Sequence, residues 1–114
     1  MNDFLLIFRR DPATAQTEQS PAQLQAWMKE WMDWIGGIAA QNKLVSQGNR
    51  LDQDGNVVKA GGIVTNGPYV EVKEVIGGYT IIRAESKEEA SEMAMGCPIL
   101  KVGGSVEVRA IMAM

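Results

Sequence analysis

Glu107 and Arg109 stand two residues apart in an alternating segment, which puts a carboxylate and a guanidinium on one side of an extended chain. The pair has the makings of a base and a holder of negative charge, and the phenol of Tyr79 offers a second donor for such a charge. These three form the catalytic set that the residue types allow. A binding set is broader: the hydroxyl of Ser46, the amide of Asn66, the rigid corner at Pro68, the ring of Tyr79 and the indole of Trp34. Pro68 fixes its own φ and pushes Gly67 out of the right-handed helical region, so Asn66-Gly67-Pro68 is a corner that presents the Asn66 side chain. An amide donates and accepts hydrogen bonds but exchanges no proton near neutral pH, so Asn66 is expected to orient a ligand or the loop itself. The chain contains no histidine, and the usual proton carrier at neutral pH is therefore missing. The plain alternative for Glu107 and Arg109 is an ion pair between strands or between chains, worth little where it is exposed.

Other chemistries find less support. Asp52-Gln53-Asp54-Gly55 has the look of a calcium loop, but counting from Asp52 puts glycine fourth and Ile63 twelfth, where an EF-hand needs glycine sixth and glutamate twelfth. A hairpin turn is the better reading. Zinc lacks ligands in a chain with no histidine and one thiol, and no motif implies a cofactor. Cys97 follows a helical stripe, where the negative end of the helix dipole raises a thiol pKa, so it reads as a buried, inert cysteine.

Length and composition set the frame for these residues. A chain of 114 residues has one hydrophobic core, burying roughly two-thirds of the surface its unfolded form exposes. With 46% apolar and 22% charged residues it reads as one soluble globular domain over residues 1–114. The apolar run Phe4 to Phe8 meets Arg9 and Arg10 at once, leaving no room for a signal peptide or a membrane span. A single cysteine and no N-glycosylation acceptor fit a reducing cytoplasm, and a net charge of −3 with scattered basic residues gives no footprint for nucleic acid.

The elements that would position the site follow from periodicity. Asp3 to Phe8 is apolar on both alternating faces and suits a central strand. Ser20 caps a helix with Pro21 at its first position, and Leu24, Trp27, Met28, Trp31, Ile35 and Ile38 make an apolar stripe ending near Asn42. Trp27 and Trp31 lie in the stripe as core residues, while Trp34 sits at its edge, bordering a pocket or a chain contact. Leu44–Leu51 and Val57–Thr65 read as a hairpin joined at Asp-Gly, the second strand weakened by Gly61 and Gly62. A half-exposed segment through Val70, Val72 and Val75 leads to a firmer strand starting at Gly77-Gly78-Tyr79. Ser86 and Glu89 open a helix over residues 86–96 as a capping box, and Ser105–Ile111 closes the chain as an alternating strand.

This order predicts an α+β, ferredoxin-like β-α-β-β-β-α-β sheet with two helices on one face. Because the strands at Asp3–Phe8 and Tyr79–Arg83 are apolar on both sides, the second face needs a cover, and a second copy of the chain is the expected one.

The motifs of the chain, in this order, resemble the YCII-related family and in particular its DGPF-domain branch. The family's turn D-G-P-F-x-E-x-K-E appears as Asn66 to Glu74, the G-G-Y strand start as Gly77-Gly78-Tyr79, and the closing strand as Gly104 to Arg109; Ala84-Glu85-Ser86 and Gly96-Cys97-Pro98 bracket the second helix. The resemblance implies a dimeric α/β barrel. In some relatives it implies a histidine and aspartate acid/base pair, and certain relatives are lyases or dehydrochlorinases. Asn66 replaces the usual Asp of the turn and Tyr69 the usual Phe, so that carboxylate is absent as well as histidine. The expected function is a cytoplasmic homodimer that binds a small organic molecule, with no nucleic-acid or membrane partner. The alternative is a cofactor-free lyase or isomerase acting on a small organic acid or ring compound, using Glu107 as base.

Overall fold

Alternation along the first strand decides the architecture. In the computed structural model, which describes residues 1–10, 20–52, 54–67 and 75–113, the strand β1 (Asn2–Arg10) buries Phe4, Leu6 and Phe8 and turns Leu5 and Ile7 to the other face. It is followed by α1 (Pro21–Ala40), β2 (Leu44–Ser46), β3 (Gly55–Lys59), β4 (Ile63–Gly67), β5 (Val75–Ala84), α2 (Lys87–Ala94), a 3-10 turn (Pro98–Val102) and β6 (Ser105–Ala110). β2, β5, β1 and β6 lie side by side in that order, all antiparallel, while β3 and β4 pair with each other in a separate two-stranded sheet. This is an α+β sheet of ferredoxin-like order, with β1 and β5 central as their two-sided apolar patterns require.

Both helices cover one face. Ile38 of α1 and Ala90 and Ala94 of α2 share a core with Phe4, Leu6, Phe8, Ile82 and Ala84. Ser20 caps α1 with a complete capping box, its hydroxyl accepting from the Gln23 N–H at 3.2 Å and its own N–H donating to the Gln23 side chain at 2.8 Å. Asn42, at φ +59°, ends it in the left-handed conformation. At α2 the box is half closed. Ser86 Oγ accepts from the Glu89 N–H, but the Glu89 carboxylate reaches Lys43 at 2.6 Å and ties the end of α1 to the start of α2. No helix among the described residues is long and apolar enough to cross a membrane.

The hairpin differs from expectation. Leu44–Leu51 does not pair with Val57–Thr65; it runs along β5, through Leu44 opposite Ile82, Ser46 opposite Ile81 and an isolated bridge from Arg50 to Gly78. Val57–Thr65 is two strands rather than one, because Gly61 and Gly62 both take positive φ and form the turn of the β3–β4 hairpin. Pro68 and the segment through Val70 and Val72 lie outside the described residues.

Candidate functional site

The N-terminal half of α1 and the start of β5 enclose the site. Trp31 stands edge-on to Phe8 with ring centroids 5.0 Å apart, and Trp27 and Trp34 flank it edge-on at 6.0 and 5.7 Å. Before and between these rings the helix leaves apolar side chains uncovered: Leu24, Met28 and Met32 remain 47%, 64% and 53% exposed. Beneath them β5 has no side chains at two successive positions. Phe8 pairs with Gly78 and Arg9 with Ile76, so Gly77 is a bulge, and a Cβ on Gly78 would come within 2.8 Å of the Asn49 carbonyl. Gly78 therefore lets residues 49–51 close against the strand, through Leu51 N–H to Gly77 O at 2.9 Å and Tyr79 N–H to Asn49 O at 3.2 Å.

A cavity of about 480 Å³ results, within the usual size range of ligand pockets. α1 supplies its apolar wall (Leu24, Trp27, Met28, Trp31, Met32 and Ile35), β1 supplies Phe8 and Arg10, and residues 47–51 with Ile76 to Thr80 supply the floor and rim. The rim loop is held firmly. Ser46 Oγ accepts from the Gly48 N–H at 3.1 Å, and the buried Thr80 hydroxyl donates to the Gln47 carbonyl at 2.9 Å. Arg10, Arg50 and Tyr79 are the only ionisable lining residues among those described, and none of the lining is a carboxylate. Arg50 pairs across to Gly78, itself opposite Phe8, so its side chain shares the face on which α1 lies.

Tyr79 pairs with Ile7, as Glu107 does, so its ring lies on the sheet face turned away from the helices, its hydroxyl accepting from Asn49 Nδ2 at 3.4 Å, although the residue itself borders the cavity. Trp34 stands outside it, its indole N–H donating to the Met93 carbonyl at 2.9 Å and joining α1 to α2. Ser46 shapes the loop without lining the cavity. Asn66 is exposed at the open end of the β3–β4 hairpin, opposite Asn56. Glu107 and Arg109 pair with Ile7 and Leu5 and therefore occupy the sheet face turned away from the helices. There Glu107 bonds Arg109 at 3.1 Å and Arg9 at 3.2 Å, and these two guanidinium groups hold its carboxyl below the usual carboxylate range. A carboxylate so held is a poor proton acceptor.

The sequence reading missed Arg50, Arg10 and the glycine floor. The available signal was the Gly77-Gly78 pair inside a firm strand, which marks a bulge or a close approach. Among the described residues no three His, Cys, Asp or Glu side chains gather to hold a metal ion. Cys97 is 2% exposed, and burial pushes its thiol up to about 12.

The YCII-related domain model matches residues 3–114, nearly the whole chain. This chain belongs to the YCII-related family. That membership agrees with the ferredoxin-like order of the YCII-related sheet and with the helices lying on one side of it. A search of the curated proteins finds no match.

Proposed function

We propose that this YCII-related chain is a small-molecule-binding module of the DGPF type, working in the cytoplasm as a homodimer and holding an organic molecule in the cavity between α1 and β5. The observation that carries the reading is the apolar wall of α1 left exposed over a floor without side chains, a surface that an apolar ligand would cover. Binding without turnover is favoured because the described lining holds no carboxylate and the chain no histidine. The homodimer is supported by the opposite sheet face, where Leu5, Ile7 and Ile81 form an apolar strip beside the Arg9, Glu107 and Arg109 cluster. The lyase or isomerase alternative would place its chemistry on that opposite face, around a Glu107 already engaged by two arginines.

A thermal-shift screen of small organic compounds, followed by NMR of each hit after prolonged incubation with the protein, tests the reading. The expected result is a ligand that raises the melting temperature and is recovered chemically unchanged. Conversion of the ligand, abolished by Glu107→Gln, would overturn the binding reading in favour of the enzyme. Sedimentation equilibrium should give twice the mass of one chain; a stable monomer would remove the homodimer.

A further inference from the structure

The charge around the cavity opposes the charge of the chain. The protein carries a net −3, yet the charged residues described in the cavity lining are both arginines, Arg10 on β1 and Arg50 on the rim loop. Arg50 makes no ion pair with any described residue, whereas Lys29, Lys43, Lys101, Arg9 and Arg109 all do. The strand register turns Arg50 to the helix side, where the wall that α1 gives the cavity is of aliphatic, aromatic and thioether groups. These groups cannot neutralise it. A guanidinium in that setting matches a planar carboxylate bidentately, and the adjoining apolar wall fits a flat hydrocarbon body. The indole and thioether groups of Trp27, Met28 and Trp31 in that wall suit the face of a ring system better than a bulky branched group.

We propose that the cavity selects an apolar organic carboxylate, its ring system against the Trp27, Met28 and Trp31 wall of α1 and its carboxylate at the Arg50 side of the rim. This rests on the binding reading above and adds the charge of the ligand to it. Neutral or cationic molecules of the same shape fill the apolar part but leave the guanidinium without an anion. Selectivity is moderate, because Arg50 is exposed and solvent screens it.

A pair of isosteres isolates the charge: 2-naphthoate and 2-naphthamide share one ring system and differ in charge at the carbonyl substituent. Each is titrated by calorimetry into the full chain and into Arg50→Gln, with the indole N–H resonances of Trp27 and Trp31 recorded to report cavity occupancy. Naphthoate should bind about tenfold more tightly than naphthamide, in line with one charge-assisted hydrogen-bond pair at a wet site. Arg50→Gln should remove most of that difference by weakening naphthoate much more than naphthamide, and added salt should erode it in the wild type. Equal affinities, tighter binding of the amide, or a naphthoate preference that survives Arg50→Gln would overturn the anion proposal while the cavity reading stands. If neither compound moves the two indole resonances, the cavity reading itself falls and takes the proposal with it.

Discussion

The Trp31 ring meets Phe8 edge-on at 5.0 Å, and this contact fixes the height at which α1 crosses the sheet. On one side of it Ile35 and Ile38 are buried; on the other, Leu24 and Met28 stay exposed over the cavity. Trp31→Ala should therefore act on both. Loss of a large, partly buried aromatic should destabilise by about 3 kcal/mol. Urea unfolding followed by far-UV circular dichroism measures this, and an unchanged midpoint would mean that α1 is held by other contacts.

Glu89 and Glu107 set the acid limb of stability. Hydrogen bonding to Lys43 and to Arg109 with Arg9, respectively, lowers both carboxyl pKa values from the usual range. A folded-state pKa below the unfolded one adds stability that is full above about pH 5 and is lost as pH falls through the folded value. Glu89→Gln should thus lower the urea midpoint at pH 7 and converge on the wild type as pH falls through the lowered folded value. A difference that persists undiminished at low pH would contradict the ion pair as its source.

How much of this was legible in the sequence differs by element. β1, β5 and β6, the caps at Ser20 and Ser86 and the left-handed Asn42 followed from local patterns, because two-period alternation and capping chemistry act within a few residues. The hairpin did not. Asp54-Gly55 is the stronger local turn signal and outweighed the Gly61-Gly62 turn of the β3–β4 hairpin, while the pairing of residues 44–51 depends on β5, some thirty residues away. The apolar stripe of α1 was also visible, but a periodicity reports which side of a helix is apolar and not its distance from the sheet. Trp27 and Trp31 therefore read as core when they also wall a cavity. Arg50 carried no signal at all, since its role depends on the bridge to Gly78.

Gly48 is where the rim loop is most easily broken. Its φ of +72° suits glycine, and a Cβ there would collide with the Tyr79 carbonyl oxygen. Gly48→Ala should destabilise by about 3 kcal/mol and weaken any cavity ligand by displacing residues 47–51. Thermal unfolding together with calorimetric titration of 2-naphthoate checks both effects; full retention of each would show that the loop adapts without cost.

Cys97 should be chemically silent in the folded protein. With its thiol at about 12 and its sulfur buried, it should resist a thiol-reactive disulfide reagent at pH 8 and react at once in denaturant. Rapid reaction in native buffer would show that the turn around Cys97 opens readily.

A crystal structure of the protein saturated with 2-naphthoate is the most direct measurement of where the YCII-related chain holds its ligand. It should show the naphthalene rings in the cavity against the Trp27, Met28 and Trp31 wall of α1, with the carboxylate toward Arg50. Rings lying instead against Glu107 and Arg109 on the opposite face of the sheet, with the cavity beneath α1 empty, would contradict that assignment.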